Sequence, residues 1–175
     1  MRKLFELKPD KRIALLVTAS AALLLVVALG IFRLNPTPKE ANNGVQPVVY
    51  QDDSKYRTEK VSIHGHELLV AIADTDALRV QGLSGRQSIA PFDGMLFVFD
   101  DADSHPFWMK NMLYSLDAIW FDVDYKSLDL KKDLKPETYP EVFRSSTPSR
   151  FVLEVPTGTI DRLGIVKGDI LSVIK

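Results

Sequence analysis

The sequence predicts a compact, mainly β, α+β domain with an antiparallel or barrel-like sheet and two short helices, preceded by a single transmembrane helix. Three observations predict it. Beyond residue 57 the apolar residues fall into at least six short runs, several alternating with polar neighbours, which is the period of strands. Two short segments carry helix start and stop residues, Thr75 to Gly82 and Thr157 to Gly164. Ile13 to Phe32 runs without a charge.

The length of 175 residues suits one globular domain plus an appendage. With 22 basic against 23 acidic side chains and no basic stripe, the chain is not expected to bind nucleic acid. The lack of cysteine excludes disulfides, thiolate metal sites and a cysteine nucleophile. With three histidines, no metal and no cofactor are expected.

Residues 1–12 read as a cytoplasmic basic leader, with Arg2, Lys3, Lys8, Lys11 and Arg12 against Glu6 and Asp10. Residues 13–32 then read as a transmembrane anchor, because a helix of that length covers about 30 Å, the thickness of the bilayer core. The excess of Lys and Arg before the span places the N-terminus in the cytoplasm and the rest of this single-pass chain outside the cell membrane. A cleaved signal peptide, cut after the small-x-small triplet Ala28-Leu29-Gly30, also exports the domain; the length of the apolar run favours the anchor. Residues 33–56, rich in proline, asparagine and charge, read as a flexible tether. Residues 57–175 form the extracytoplasmic globular domain.

Within that domain, Lys60 to Asp74 holds two strands meeting at His64-Gly65-His66, where glycine permits a tight hairpin. The two histidines flank an exposed turn and have no third ligand in reach, so they are not read as a metal site. Asp74 or Thr75 caps a two-turn helix that Gly82 ends, with Asp76 and Arg79 suiting its dipole. Gly82-Leu83-Ser84-Gly85 departs from the serine-nucleophile elbow by one position, which leaves Ser84 a structural role. Arg79 and Arg86 offer guanidinium forks for a carboxylate.

Met95 to Phe99 reads as a strand buried on both faces. Asp100, Asp101 and Asp103 follow as a solvated turn, lacking the glycine and glutamate of a calcium loop. Phe107 to Met112 is expected to be a further strand or strand edge. Asp117 begins a buried strand and therefore needs a cation or backbone N–H groups, with Lys110, Asn111, Arg79 and Arg86 as side-chain donors. Leu128 to Lys131 reads as a half-exposed strand. The polar loop from Lys135 to Pro148 has Tyr139 and Phe143 for anchors. Phe151, Leu153 and Val155 alternate with Val152 and Glu154, then comes the second helix, a turn at Lys167-Gly168-Asp169, and a last strand from Ile170 to Ile174.

Several blocks in order carry a resemblance: Ala73-Asp74-Thr75, Arg79 to Arg86, Gly94 to Phe99, Phe107 to Asn111, Leu116-Asp117, Val152-Leu153-Glu154, and Gly164 with Gly168-Asp169. Over about residues 59 to 174 the chain resembles the bacterial and archaeal family called domain of unknown function 192. The blocks GMLFVF and FWMKN…LD are specific together and weak apart. The resemblance implies a small exported or membrane-tethered domain with a mainly β, barrel-like fold, and no established activity, cofactor or substrate. Members with cysteines before the VLE block have no counterpart here.

Three functions follow as expectations. The first is a non-catalytic module of the cell envelope binding a small molecule or saccharide, with Trp108, Met109 and Asn111 lining the pocket and Arg79, Arg86 or Asp117 fixing a polar group. The second is an envelope hydrolase with Asp117 as general acid or base and Glu154 or Asp169 as a second carboxylate. The third is a structural or assembly protein that positions an envelope partner beside the membrane to which the N-terminal helix binds.

Overall fold

A type I′-like turn, with His64 at φ 50° and Gly65 at φ 78°, joins β1 (Arg57–Ile63) to β2 (His66–Ala73) as the first hairpin. The computed structural model describes residues 52–174. No helix among them is long and apolar enough to cross a membrane. The expected leader, the anchor and most of the tether lie outside the described residues. The tether's last residues belong to the domain: Tyr56 is buried against Phe92, and Asp53 pairs with Arg86.

After β2, Thr75 accepts a hydrogen bond from the Leu78 N–H and caps α1 (Asp76–Gln81), which ends at Gly82. Then come β3 (Gly94–Asp103), β4 (Leu116–Phe121), β5 (Ser127–Leu134), β6 (Ser149–Pro156), α2 (Thr159–Leu163) and the short β7 (Ser172–Val173). The seven strands form a half-barrel sheet in the order β5-β4-β6-β3-β2-β1-β7. All pairings are antiparallel except β2 with β3, which run parallel because α1 and the loop after it make a crossover.

Both faces of the central strands are covered, so β4 is buried at every position and β6 nearly so. One face carries Met95, Phe97, Ala118, Trp120 and Val152 and packs under the connecting loops. The other carries Leu96, Ile119, Phe121, Leu153 and Val155 and packs under α2 and the C-terminal turn. Alternation assigns Glu154 to the first face, opposite Met95 and Ala118, and Asp117 to the second, opposite Val155.

Three segments differ from expectation. Asp100, Asp101 and Asp103 form no separate turn; they are the exposed end of β3, carried past a register shift between Val98 and Asp103. From Phe107 to Met112 only Phe107 bridges another segment, with Phe143, and Asn111 has φ 56°, which breaks any strand. The last strand shrinks to Ser172 and Val173, with Ile170 making a single bridge to Lys126.

Candidate functional site

A cavity of about 470 Å³ opens on the first sheet face, between α1, the outer half of β3 and the loop from His105 to Met112. Its volume lies in the range of small-molecule sites. Local sequence builds its walls. Phe97 and Phe99 alternate along β3 onto this face, and Phe107 meets both edge-on, with centroids 4.9 and 6.2 Å away. Gly82 lets the end of α1 descend onto Phe97, since a Cβ there would come within 3.3 Å of the ring. The rim loops are stitched together: Ser84 Oγ donates to the Lys110 carbonyl at 2.9 Å, and the Gly85 N–H to that of Asn111 at 2.8 Å.

At the base lies Glu154, only 7% exposed. Gly94 makes room for its strand, because a Cβ at Gly94 would sit 2.9 Å from the Glu154 carbonyl oxygen. Burial raises the Glu154 carboxyl to about 8, and no hydrogen bond or neighbouring charge among the described residues offsets it. Glu154 is therefore mostly protonated at neutral pH and can donate or accept a hydrogen bond. Behind it, burial pushes the Tyr114 phenol up to about 12, with Arg86 pulling down and Glu154 pushing up. The Tyr114 hydroxyl and the Trp120 indole N–H are buried without hydrogen-bond partners among the described residues.

Of the residues singled out in the sequence, Trp108 and Arg79 line the cavity. Trp108 is 45% exposed. Arg79 is committed: it donates to the Asp74 and Val98 carbonyls at 2.9 and 2.6 Å and to the Asp76 carboxylate at 2.6 Å. The other four are placed elsewhere. Met109 is core, 2% exposed. Asn111 supplies a left-handed turn and a carbonyl acceptor to the rim. Arg86 is buried as a brace, paired with Asp53 and donating to the Ser88 and Ala90 carbonyls. Asp117 lies on the opposite sheet face and accepts the Asp133 and Ile160 N–H groups, each at 3.0 Å. Its partners are thus backbone groups and none of the four side chains considered.

Sequence reasoning named Glu154 only as a second carboxylate for Asp117 and passed over Phe97, Phe99 and Phe107. The available signal was that Glu154 is the sole charge in Phe151 to Val155, a run too apolar for a half-exposed strand. Among the described residues no group of three or more acidic or histidine side chains is arranged to hold a metal ion.

Fold and site together define a small half-barrel domain with an aromatic cavity on one sheet face. The chain belongs to the domain of unknown function 192 family, described as an uncharacterized ACR, whose profile matches residues 59–173. Among solved structures it is similar to a candidate transcription regulator from Sinorhizobium meliloti 1021. That pair is 33% identical with a TM-score of 0.64, covering 67% of this chain and 95% of the other. It is also similar to a protein of unknown function from Novosphingobium aromaticivorans DSM 12444, at 27% identity and a TM-score of 0.62, covering 73% and 90% of the two chains. No curated protein matches the chain.

Proposed function

We propose that the domain is a non-catalytic binding module for a small molecule or saccharide, held outside the cell membrane by the helix at residues 13–32. The observation that carries the binding reading is the cavity of about 470 Å³, with aromatic walls and a buried carboxyl at its base that has no partner among the described residues. Apolar surface supplies affinity in such a site, and the few polar groups fix orientation. The hydrolase reading is weaker because its proposed pair is split: Asp117 holds backbone on the other face, and Asp169 is engaged by His64 and the Val166 N–H. The regulator description of the Sinorhizobium protein is not extended to this chain, whose 22 basic and 23 acidic residues favour no nucleic-acid contact.

Trp108→Ala tests the site. A ligand found by a thermal-shift screen of amines, alcohols and sugars should lose at least tenfold in affinity to this variant, while the far-ultraviolet dichroism stays unchanged. Retention of full affinity sinks the assignment. Separately, alkaline carbonate extraction should leave the full chain in the membrane fraction, and a protease added outside should digest the globular domain; a soluble or protected domain refutes the tethered topology.

A further inference from the structure

We infer that the cavity takes an organic cation, a ligand with an apolar body and a protonated amine that pairs with the Glu154 carboxylate. This rests on the binding reading above and narrows it to a ligand class.

The charge inventory of the cavity decides the sign of the ligand. Of the cationic groups in its lining, Arg79 spends its guanidinium on Asp76, two carbonyls and the face of Phe99, 5.4 Å away. His105 stacks on Phe99 with centroids 3.5 Å apart, and its Nε2 lies 3.2 Å from the Asp101 carbonyl oxygen, so that nitrogen faces the protein. Arg86, behind the base, is held by Asp53 and carbonyls. Against these stand Asp100 and Asp101 at the mouth and Glu154 at the base, none in a salt bridge among the described residues. Among the described residues an anionic ligand would find no uncommitted cation, and it would pass two carboxylates on entry. A cationic ligand is concentrated by the same carboxylates.

The walls agree with the charges. Phe107 and Trp108 line the same cavity as Glu154, and aromatic rings attract ammonium groups more strongly when water is excluded. Glu154 is the group that makes this a built site. Its side chain is buried, it lines the cavity, and among the described residues neither a cation nor an N–H donor is paired with it. An ammonium donor brought by the ligand supplies both the hydrogen bond and the compensating charge. Pairing is then coupled to ionisation: the carboxyl proton leaves to solvent as the ammonium arrives, so the complex gains one ion pair and the buffer gains one proton.

The test is isothermal titration of the full chain in nonionic detergent at pH 7, with 2-phenylethylamine and its neutral counterpart 2-phenylethanol, each in phosphate and in Tris. Expected are binding of the amine at least tenfold tighter than the alcohol, release of close to one proton per amine bound, and loss of both effects in Glu154→Gln. With a carboxyl near 8, about nine-tenths of the protein carries that proton at pH 7. If alcohol and amine bind equally, in a manner lost in Trp108→Ala, the cation inference falls and the binding reading stands. Amine binding without proton release, or undiminished in Glu154→Gln, also overturns it. If neither probe binds, nor glucosamine nor glucose, both readings fall.

Discussion

Asp117 and Glu154 are two buried carboxylates on adjacent strands, one residue apart in register, and they face opposite sides of the same sheet. Asp117 is fully engaged. A bulge between β4 and β5 turns the Asp133 N–H toward one of its oxygens, and the first turn of α2 offers the Ile160 N–H to the other. Glu154 has no such partners among the described residues and opens on a cavity. A satisfied buried carboxylate ties elements together, whereas a buried carboxyl without partners is a cost that stability alone does not explain. The difference separates architecture from site within one pair of strands.

The largest expected effect breaks the architectural member. Asp117→Ala leaves two buried N–H groups without an acceptor and should lower stability by about 3–5 kcal/mol, read as a shift of the urea midpoint at constant slope. Asp117→Asn, which keeps an acceptor for one of them, should lose less.

Glu154 should show the opposite behaviour. Its folded pKa of about 8 exceeds the ordinary 4.5, so between those values the folded state binds more protons than the unfolded state. The Glu154 contribution to stability is therefore fully present below the ordinary value and is lost as pH rises toward 8, by a few kcal/mol. Glu154→Gln should remove that slope and be more stable than the natural protein at pH 9. A flat profile in the natural protein would show that the carboxyl is not held in an uncompensated site.

Between the two lies the strand contact that carries Glu154. Gly94→Ala puts a Cβ 2.9 Å from the Glu154 carbonyl oxygen, so β3 must shift from β6 at a cost of about 1–3 kcal/mol. The smallest stability effect is at the cavity mouth: Trp108→Ala, at a residue 45% exposed, should stay within about 0.5 kcal/mol of the parent while losing ligand binding. A larger loss would make Trp108 a packing residue.

Much of the architecture was legible because it is written in local rules. The hairpin at His64-Gly65, the Thr75 cap and Gly82 stop of α1, and the strand through Met95 to Phe99, buried as far as Phe97, each follow from period, cap and turn residues. The parallel pairing of β2 with β3 was not, since it depends on where the crossover after α1 returns. The site was legible only in part. Arg79 and Trp108 were marked by residue type, but Arg86 and Arg79 have equal claims on paper and are separated by Asp53, which lies 33 positions from Arg86 in the chain. Asp117 and Glu154 likewise both read as carboxylates in apolar strands. Only three-dimensional neighbours decide which is satisfied: the N–H groups that reach Asp117 come from residues 16 and 43 positions away.

Among the described residues Glu154 is the buried carboxyl left without a partner. Carbon-13 NMR of the full chain labelled at the glutamate side-chain carboxyl tests it most directly, with the signal assigned by its absence in Glu154→Gln. A titration midpoint near 8 is expected for Glu154. A midpoint near the ordinary value of 4.5 would contradict it, because such a carboxylate already has the solvent or the partner that the cavity is inferred to receive from its ligand.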